Sequence, residues 1–362
     1  MVFLPLRPQR QKNALFSKEL QGFEGLVIMM FEVFKKVVGH QKRIRIFQQQ
    51  IRGGYFPCTA LFYGVEGIGK KLIATCAVAS LFCPDRGCGK CSICRRVFEH
   101  QHPDFYYLAP EAGKRGISID QIRQIQKKIS LKAFEAGQKF VLVDQADTMN
   151  EEASNSFLKT LEEPPQETRI FLVTDQKQAL LPTVLSRVQT ISFHPISTHE
   201  MRNFLSTRVR RDKIDFLLAF SQGSIGKALT LTESELDQTR QNLCLWLRRF
   251  EDQDQQSFIQ KFLSFVPENL PTKEDARQCL AKQTEVLLLI FRDLMLIPYL
   301  VPVINRDQLH LLQSLSKKIF SELAQAIIQE LYQYLQTLER NVNIELATQI
   351  ALSRMYHLLK KA

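Results

Sequence analysis

The stretch "GVEGIGKK", Gly64 to Lys71, decides the fold of this chain. It follows the phosphate-loop pattern G-x-x-x-x-G-K-[ST] except at its last position, where Lys71 replaces the hydroxyl residue. Three glycines, Gly64, Gly67 and Gly69, would let backbone N–H groups turn toward a phosphate. Lys70 would neutralise the phosphate oxygens. The missing hydroxyl normally places an oxygen on Mg²⁺. The alternative for this stretch is a plain glycine turn.

The segments around the loop predict a parallel α/β sheet. The apolar run "CTALFY" before the loop is typical of a buried strand, and "LIATCAVASLFC" after it has helical composition. Strand, glycine loop and helix is the context that a phosphate loop requires. Further strands are predicted at residues 104–110, 139–144, 169–174 and 189–193, with helical segments between them. This alternation favours a parallel sheet covered by helices on both faces.

One of these helical segments begins with a capping box. Ser118 is followed three residues later by Gln121, the pattern in which side chain and backbone groups cap each other. The apolar residues that follow have helical spacing, so we expect one buried helix face formed by Ile119, Ile122, Ile125, Ile129 and Phe134.

The strand "FVLVDQAD" has an apolar run that ends in a carboxylate, Asp144, as the metal-binding strand of a phosphate-loop protein does. Asp144 could hold Mg²⁺ through water. The next position often carries a Glu that activates the attacking water, and here it is Gln145. An amide cannot accept a proton at neutral pH. Together with Lys71, this predicts that the chain does not turn over ATP. Whether a nucleotide binds without turnover stays open.

Four of the eight cysteines lie within twelve residues: Cys83, Cys88, Cys91 and Cys94. Two adjacent C-x2-C steps let thiolates converge on one ion, and four sulfurs are typical of a closed structural Zn²⁺ site. The alternatives are free or redox-active thiols and an iron–sulfur cluster. A closed site leaves no open coordination position, so we expect no catalysis there.

Length and composition describe a globular protein with several domains. The chain has 362 residues, of which 45% are hydrophobic and 23% charged, and this length favours two or three domains. Its formal charge is +11, and residues 1–52 hold ten Lys/Arg against three Asp/Glu. A basic balance fits an anionic partner such as nucleic acid, although a solvated basic N-terminal arm explains it as well. No membrane segment and no signal peptide are expected.

The motifs and their order resemble the clamp-loader ATPase family of bacterial DNA polymerase III, within the AAA+ class. The resemblance rests on "VVGHQ", "GVEGIGKK", the four-Cys cluster, "HPDFYYL", "SFLKTLEEPP" and "LLPTVLSR", and covers roughly residues 31–235. It implies an AAA+ α/β domain at 31–195 with an inserted zinc module at 83–94. A helical lid would follow at 196–238 and an all-α collar domain at 239–362. Residues 1–30 would form a disordered N-terminal extension, and the alternative is a start at Met29 or Met30.

The resemblance also implies roles for single residues. The family contains ATP-hydrolysing gamma/tau subunits and a non-hydrolysing subunit, and the changes at Lys71 and Gln145 favour the non-hydrolysing type. Arg187 in "LSR" would be an arginine finger, supplied in trans to a neighbour's ATP. Thr174 stands where the family has a polar sensor. Gly226 stands where its ATPases carry a second sensor arginine.

As partners the resemblance implies gamma/tau and delta subunits and, through the complex, the sliding clamp (beta) and primed DNA. The location it implies is the replisome on the nucleoid, in the bacterial cytoplasm. The chain itself would be a rigid stator. Two other functions stay open: an active gamma/tau-type ATPase that tolerates Lys71 and Gln145, and a zinc-dependent module that binds nucleic acid alone.

Overall fold

A computed structural model of the chain describes residues 31–111, 114, 116–233, 236–267, 270, 272–340 and 342–361. The chain divides into two compact units, the first ending at Pro195 and the second beginning at Ile196. The expected N-terminal extension, residues 1–30, lies outside the described residues.

The first unit contains a five-stranded sheet in the order β2-β3-β4-β1-β5, in which every pair of neighbours is parallel. A parallel sheet brings the carboxyl ends of its strands to one edge, where ligands bind in α/β proteins. The strands are β1 (Thr59–Tyr63), β2 (Phe105–Leu108), β3 (Lys139–Val143), β4 (Thr168–Thr174) and β5 (Gln189–Ser192).

Helices connect these strands, as parallel pairing requires. The predicted α/β fold with a parallel sheet is confirmed, and the predicted strands end within two residues of the observed ones. The described α-helices of this unit are α1 (Gln41–Gly53), α2 (Lys70–Phe82), α3 (Ser92–Phe98), α4 (Ile119–Ile129), α5 (Glu151–Glu162) and α6 (Pro182–Leu185).

The middle residues of the central strands are apolar because both sheet faces are buried. Side chains alternate between the faces. On one face Phe62, Phe140 and Phe171 pack in a phenylalanine-rich cluster. On the opposite face the neighbouring Leu61 and Val141 pack with residues of α4 and α5. Continuous apolar runs were therefore the correct signal for these strands.

The structure corrects the prediction for Phe134. The capping box of Ser118 and Gln121 is present, and α4 begins at Ile119, but the helix ends at Ile129. Phe134 is 85% exposed instead of lying on the buried face. The reason lies in the loop after the helix, whose backbone amides are bound by a buried carboxylate.

That carboxylate belongs to Asp104, which is 1% exposed. It accepts hydrogen bonds from the backbone N–H groups of Phe134 (2.7 Å), Glu135 (2.8 Å) and Ala136 (2.9 Å). Burial by itself would raise the pKa of Asp104, but these three amides hold the pKa below its ordinary value of 3.8. The loop is thus fixed by its backbone, which leaves the Phe134 side chain in solvent.

The second unit is helical in its described part, and one hydrophobic cluster runs through it from Ile196 to Leu359. No helix among the described residues is long and apolar enough to cross a membrane. The described α-helices of the second unit are α7 (Thr198–Ser206), α8 (Arg211–Ser221), α9 (Ile225–Glu233), α10 (Leu236–Arg248), α11 (Gln255–Leu263), α12 (Lys273–Leu296), α13 (Leu309–Ser316), α14 (Ser321–Glu339) and α15 (Ile344–Lys360).

A buried polar network lies inside this helical unit. The guanidinium of Arg240, which is fully buried, donates to Asp307 (2.8 Å) and to the side chain of Asn305 (3.1 Å). Asp293, also fully buried, accepts from the backbone N–H groups of Ile304 and Asn305. Buried charges remain stable only when they are paired and hydrogen-bonded in this way. The network ties α10 and α12 to the segment before α13.

We expect Asp104→Asn to lower the free energy of unfolding by about 1–3 kcal/mol at pH 7, because an amide replaces a charged acceptor of three buried amides. The folded-state pKa of Asp104 is depressed, so its contribution is present above the ordinary pKa and is lost as pH falls through the folded pKa. Urea unfolding between pH 7 and pH 3 measures this: the gap between wild type and variant should narrow below about pH 4.

Asp120→Asn serves as the control, since the Asp120 side chain is 79% exposed, and its effect should stay within about 0.5 kcal/mol. A gap between wild type and Asp104→Asn that does not change with pH would contradict this account of the carboxylate.

Candidate functional site

The phosphate loop follows β1 directly, and Gly69 is the residue before the first turn of α2. Gly64 has φ of 151°, and a Cβ at this position would lie 2.2 Å from the carbonyl oxygen of Phe193. Only glycine fits this close approach of two backbone segments. The loop therefore has the strand–loop–helix context expected of a phosphate-binding motif.

Lys70 lies in the first turn of α2 and is 7% exposed. Its ammonium donates to the carbonyl oxygens of Gly64 (2.8 Å) and Val65 (2.7 Å), which belong to the loop itself. Burial lowers the pKa of Lys70, and the charge of Asp175 opposes that effect. The lysine that would neutralise a phosphate thus satisfies the loop's own backbone.

The other predicted pocket residues lie at the same sheet edge. Asp144 follows β3, and Thr174 ends β4 opposite Tyr63, the residue before the loop. The Thr174 hydroxyl donates to the carboxylate of Asp147 and accepts from the backbone N–H of Gln176 (3.0 Å). The structure therefore brings Gly64, Gly67, Gly69, Lys70, Asp144 and Thr174 to one edge of the sheet.

Lys71 binds the carboxylate that we expected to hold a metal ion. Its Nζ lies 3.1 Å from Asp144 Oδ2 and donates to the Tyr107 hydroxyl at 2.7 Å. That hydroxyl donates in turn to Asp144 Oδ2 at 2.8 Å. Partial burial would lower the pKa of Lys71, but the contacts with Tyr107 and Asp144 raise it above its ordinary value. Lys71 is thus a fixed cation in this pocket.

Sequence reasoning did not identify Tyr107. No local sequence signal marks it, because the pairing that places it here, Tyr107 with Leu142 across β2 and β3, is a feature of the folded sheet. Side chains two residues apart along a strand share a face, so Tyr107 lies on the same side of the sheet as Asp144, two residues beyond Leu142. The phenol also stacks on the ring of His100, with centroids 4.2 Å apart.

These contacts decide whether a magnesium nucleotide fits. Mg²⁺ requires near-octahedral oxygen ligands and would need a free Asp144 carboxylate and a hydroxyl at position 71. Here the carboxylate is already bound by an ammonium, and position 71 offers no oxygen. Gln145, next in the chain, has an amide that cannot serve as a base. The residues present do not fit a magnesium-bound nucleotide.

The four clustered cysteines converge at the far end of α2. Their Sγ atoms all lie within 4.8 Å of one another. Cys83 Sγ is 3.8 Å from Cys88 Sγ and 3.7 Å from Cys91 Sγ. Four sulfurs around Zn²⁺ at about 2.3 Å would be separated by about 3.8 Å. The sulfur arrangement therefore fits a tetrahedral metal ion.

The backbone around these thiols is built for such a site. Gly87 has φ of 86°, and a Cβ there would lie 2.5 Å from the hydroxyl oxygen of Ser80. Burial would raise the pKa of Cys88, but the backbone amides of Lys90 and Cys91 bring it down to about 7. A thiol with this pKa readily supplies a thiolate ligand. When bound, the ion would join the end of α2 to the start of α3.

Arg187 lies on a tightly bonded turn between α6 and β5. Its backbone N–H donates to the carbonyl of Val184 (3.1 Å), and its carbonyl accepts from the hydroxyl of Thr59 (3.1 Å). The guanidinium donates through Nε to Glu162 (2.7 Å) and through Nη1 to the Thr183 carbonyl (3.1 Å). Within the described part of the chain, Nη2 has no hydrogen-bond partner.

The five-stranded parallel sheet with its phosphate loop and flanking helices has the AAA+ fold. In structure the chain is similar to a gamma subunit-related DNA polymerase III protein of Thermotoga maritima. The TM-score is 0.51 at 18% identity, covering 86% of this chain and 99% of the other. A family profile described as "DNA polymerase III, delta subunit" matches residues 39–197.

Two curated relatives are more specific. DNA polymerase III subunit delta' of Bacillus subtilis is 30% identical over 302 residues, 79% of this chain and 86% of the relative. The Escherichia coli subunit of the same name is 34% identical over 190 residues, covering 51% of this chain and 57% of the relative. The chain belongs to the delta-prime family of DNA polymerase III clamp-loader subunits, which confirms the family resemblance of its motifs.

We expect the purified chain to carry one zinc ion, and Cys94→Ser to lose most of it, because the Cys94 thiol is fully buried within the cluster. Metal analysis by mass spectrometry measures the content, and thermal unfolding should show a lower midpoint for the variant. Cys58→Ser is the matched control, since Cys58 is exposed and lies outside the cluster. Iron with visible charge-transfer bands would instead indicate an iron–sulfur cluster.

Proposed function

We propose that this clamp-loader subunit does not hydrolyse ATP itself and supplies Arg187 to the ATP site of a neighbouring subunit. In this proposal it acts as a rigid stator beside gamma/tau and delta subunits. The assembly opens the sliding clamp and places it on primed DNA in the bacterial cytoplasm. The clamp-loader role follows from membership of the family. The proposal that the chain supplies an arginine but does not hydrolyse ATP is argued from the residues at the two ends of β1.

The chain's own pocket supports the non-hydrolysing part of the proposal. Lys71 binds the carboxylate that would face Mg²⁺, and Gln145 stands where a base would activate water. Loss of a general base costs about 10²–10⁴ in rate. Without the metal ligand the site does not hold Mg²⁺, whose charge stabilises the transferring phosphoryl group.

The position of Arg187 carries the proposal. Its carbonyl is bound at Thr59, the first residue of β1, whereas the phosphate loop starts at Gly64, beyond the last residue. The five residue steps from Thr59 to Gly64 extend about 16 Å along the strand. An arginine side chain does not cover that distance. Arg187 therefore lies outside the reach of its own pocket, so its guanidinium is available only to another chain.

The chemistry of the turn suits a finger. A guanidinium stabilises the charge that develops on a transferring phosphoryl group, and a finger of this kind accounts for about 10³–10⁵ in rate. The backbone bonds of Arg187 to Val184 and Thr59 fix its direction. Glu162 holds the Nε in the free chain, where the Arg187 side chain is 31% exposed. In the complex a phosphate would take the place of this exposed carboxylate.

The isolated chain separates this proposal from its two alternatives. We expect no ATP turnover above background, because both the metal ligand and the base are missing. A phosphate-release assay on the purified chain measures it. Turnover near about 1 s⁻¹, within the ordinary range for enzymes, would identify an active gamma/tau-type ATPase. Strong salt-dependent binding to DNA by the chain alone would instead favour a zinc-dependent nucleic-acid module.

We expect Arg187→Ala to slow hydrolysis at the neighbouring site by about 10³-fold or more, because the charge at the γ-phosphate loses its partner. Single-turnover ATP hydrolysis in the complex reconstituted with gamma/tau and delta measures the rate. Arg187→Lys should restore little, since an ammonium lacks the planar two-pronged geometry of the guanidinium.

Arg123→Ala is the control for this experiment, because the Arg123 side chain is 61% exposed and lies on α4, away from the turn. A reconstituted complex whose hydrolysis is the same with Arg187→Ala as with wild type would overturn the finger role. Complex formation is measured in parallel by gel filtration, so that loss of assembly is not mistaken for loss of catalysis.

A further inference from the structure

Three side chains from three different segments form a closed cycle at the pocket. Lys71 Nζ contacts Asp144 Oδ2 at 3.1 Å and Tyr107 Oη at 2.7 Å, and Tyr107 Oη donates to Asp144 Oδ2 at 2.8 Å. The ammonium also lies 4.6 Å from the centre of the Tyr107 ring. Lys71 is therefore held by a carboxylate, a hydroxyl and an aromatic face together.

The cycle is oriented by its surroundings. Tyr107 stacks on His100 with an angle of 15° between the rings, which leaves its hydroxyl directed at the pocket. Asp144 Oδ1 accepts from the backbone N–H of Gln145 at 3.1 Å, so both carboxylate oxygens are used. A solvated lysine on a helix end would need none of these contacts. An exposed ion pair is ordinarily weak, but one fixed by a hydroxyl and a ring has a defined geometry.

The cation takes the place of a divalent ion. In a magnesium-binding phosphate loop the residue after the conserved lysine supplies a hydroxyl to the ion, and an aspartate at the end of another strand of the sheet holds its water shell. Here the same two positions, 71 and 144, are joined directly by an ammonium. Mg²⁺ at Asp144 would have to displace a charge that is covalently tethered to the chain.

We propose that Lys71 is a built-in cation that replaces Mg²⁺ at Asp144 and is the residue that bars magnesium nucleoside triphosphate from this pocket. Tyr107 is its positioning residue. The inference concerns the chain's own pocket and is independent of Arg187, because it is measured on the isolated chain and the finger is measured in the complex.

Lys71→Thr tests the proposal, since it restores the sequence G-x-x-x-x-G-K-T. The measurement is binding of a fluorescent ATP analogue to the purified chain, with excess Mg²⁺ and with excess EDTA. We expect wild type to show no binding with excess Mg²⁺, where nearly all of the analogue is its magnesium complex. Lys71→Thr should bind the analogue at least about tenfold more tightly with excess Mg²⁺ than with excess EDTA. This is the ordinary scale of coupling between two ligands.

Two further variants separate charge from packing. Lys71→Arg keeps a cation at the site and, like wild type, should show no binding with excess Mg²⁺. Tyr107→Phe removes the hydroxyl that holds the ammonium and should give a Mg²⁺ dependence between those of wild type and Lys71→Thr. A merely structural tyrosine would change stability without changing the response to Mg²⁺.

Wild type provides a test that does not depend on how any variant folds. Mn²⁺ in the presence of ATP is monitored by electron paramagnetic resonance, and we expect the signal of the free ion to be unchanged by the protein. Binding of Mn²⁺·ATP by wild type, or a Lys71→Thr chain that folds but gains no Mg²⁺ dependence, would overturn the proposal.

Discussion

The length of β1 sets the distance between the phosphate loop and the Arg187 turn, and the rest of the structure depends on this separation. A parallel strand has one end at the ligand-binding edge of the sheet and the other end on the opposite side. The phosphate loop continues from Tyr63, and the Arg187 turn is hydrogen-bonded to Thr59. The phosphate loop and Arg187 are thus held apart within one molecule. If Arg187 acts as the proposed finger, it acts on a nucleotide held by another chain.

The sequence allowed much of this architecture to be predicted, and the reasons are physical. Buried parallel strands are apolar along their length, so β1, β3 and β4 could be located within two residues. The four cysteines could be assigned to one site because short spacers force thiolates together. Phe134 was placed incorrectly because the sequence has no helix breaker between Ile129 and Phe134, whereas the backbone there is bound by Asp104. That tertiary contact has no local sequence signal.

The pocket shows a second limit of sequence reasoning. The pattern showed that Lys71 replaces a hydroxyl residue, but it did not indicate what the Lys71 ammonium contacts. The direction of a long side chain depends on its neighbours, and the partners here, Tyr107 and Asp144, come from other segments. The same holds for Glu162 beside Arg187 and for the network of Arg240, which joins residues more than sixty positions apart. Such pairs could not be read from spacing.

Two adjacent lysines show how the loop can keep its shape with no phosphate to bind. A phosphate loop exposes polar backbone groups, and buried polar groups are unfavourable unless they are paired. Lys70 satisfies the carbonyls of Gly64 and Val65, while Lys71 neutralises Asp144. Lys71 supplies the positive charge that a metal ion would otherwise place beside Asp144. Lys70 contacts loop carbonyls where it would otherwise contact a phosphate. A pocket stabilised in this way has no need of a ligand to hold α2 and β3 in place.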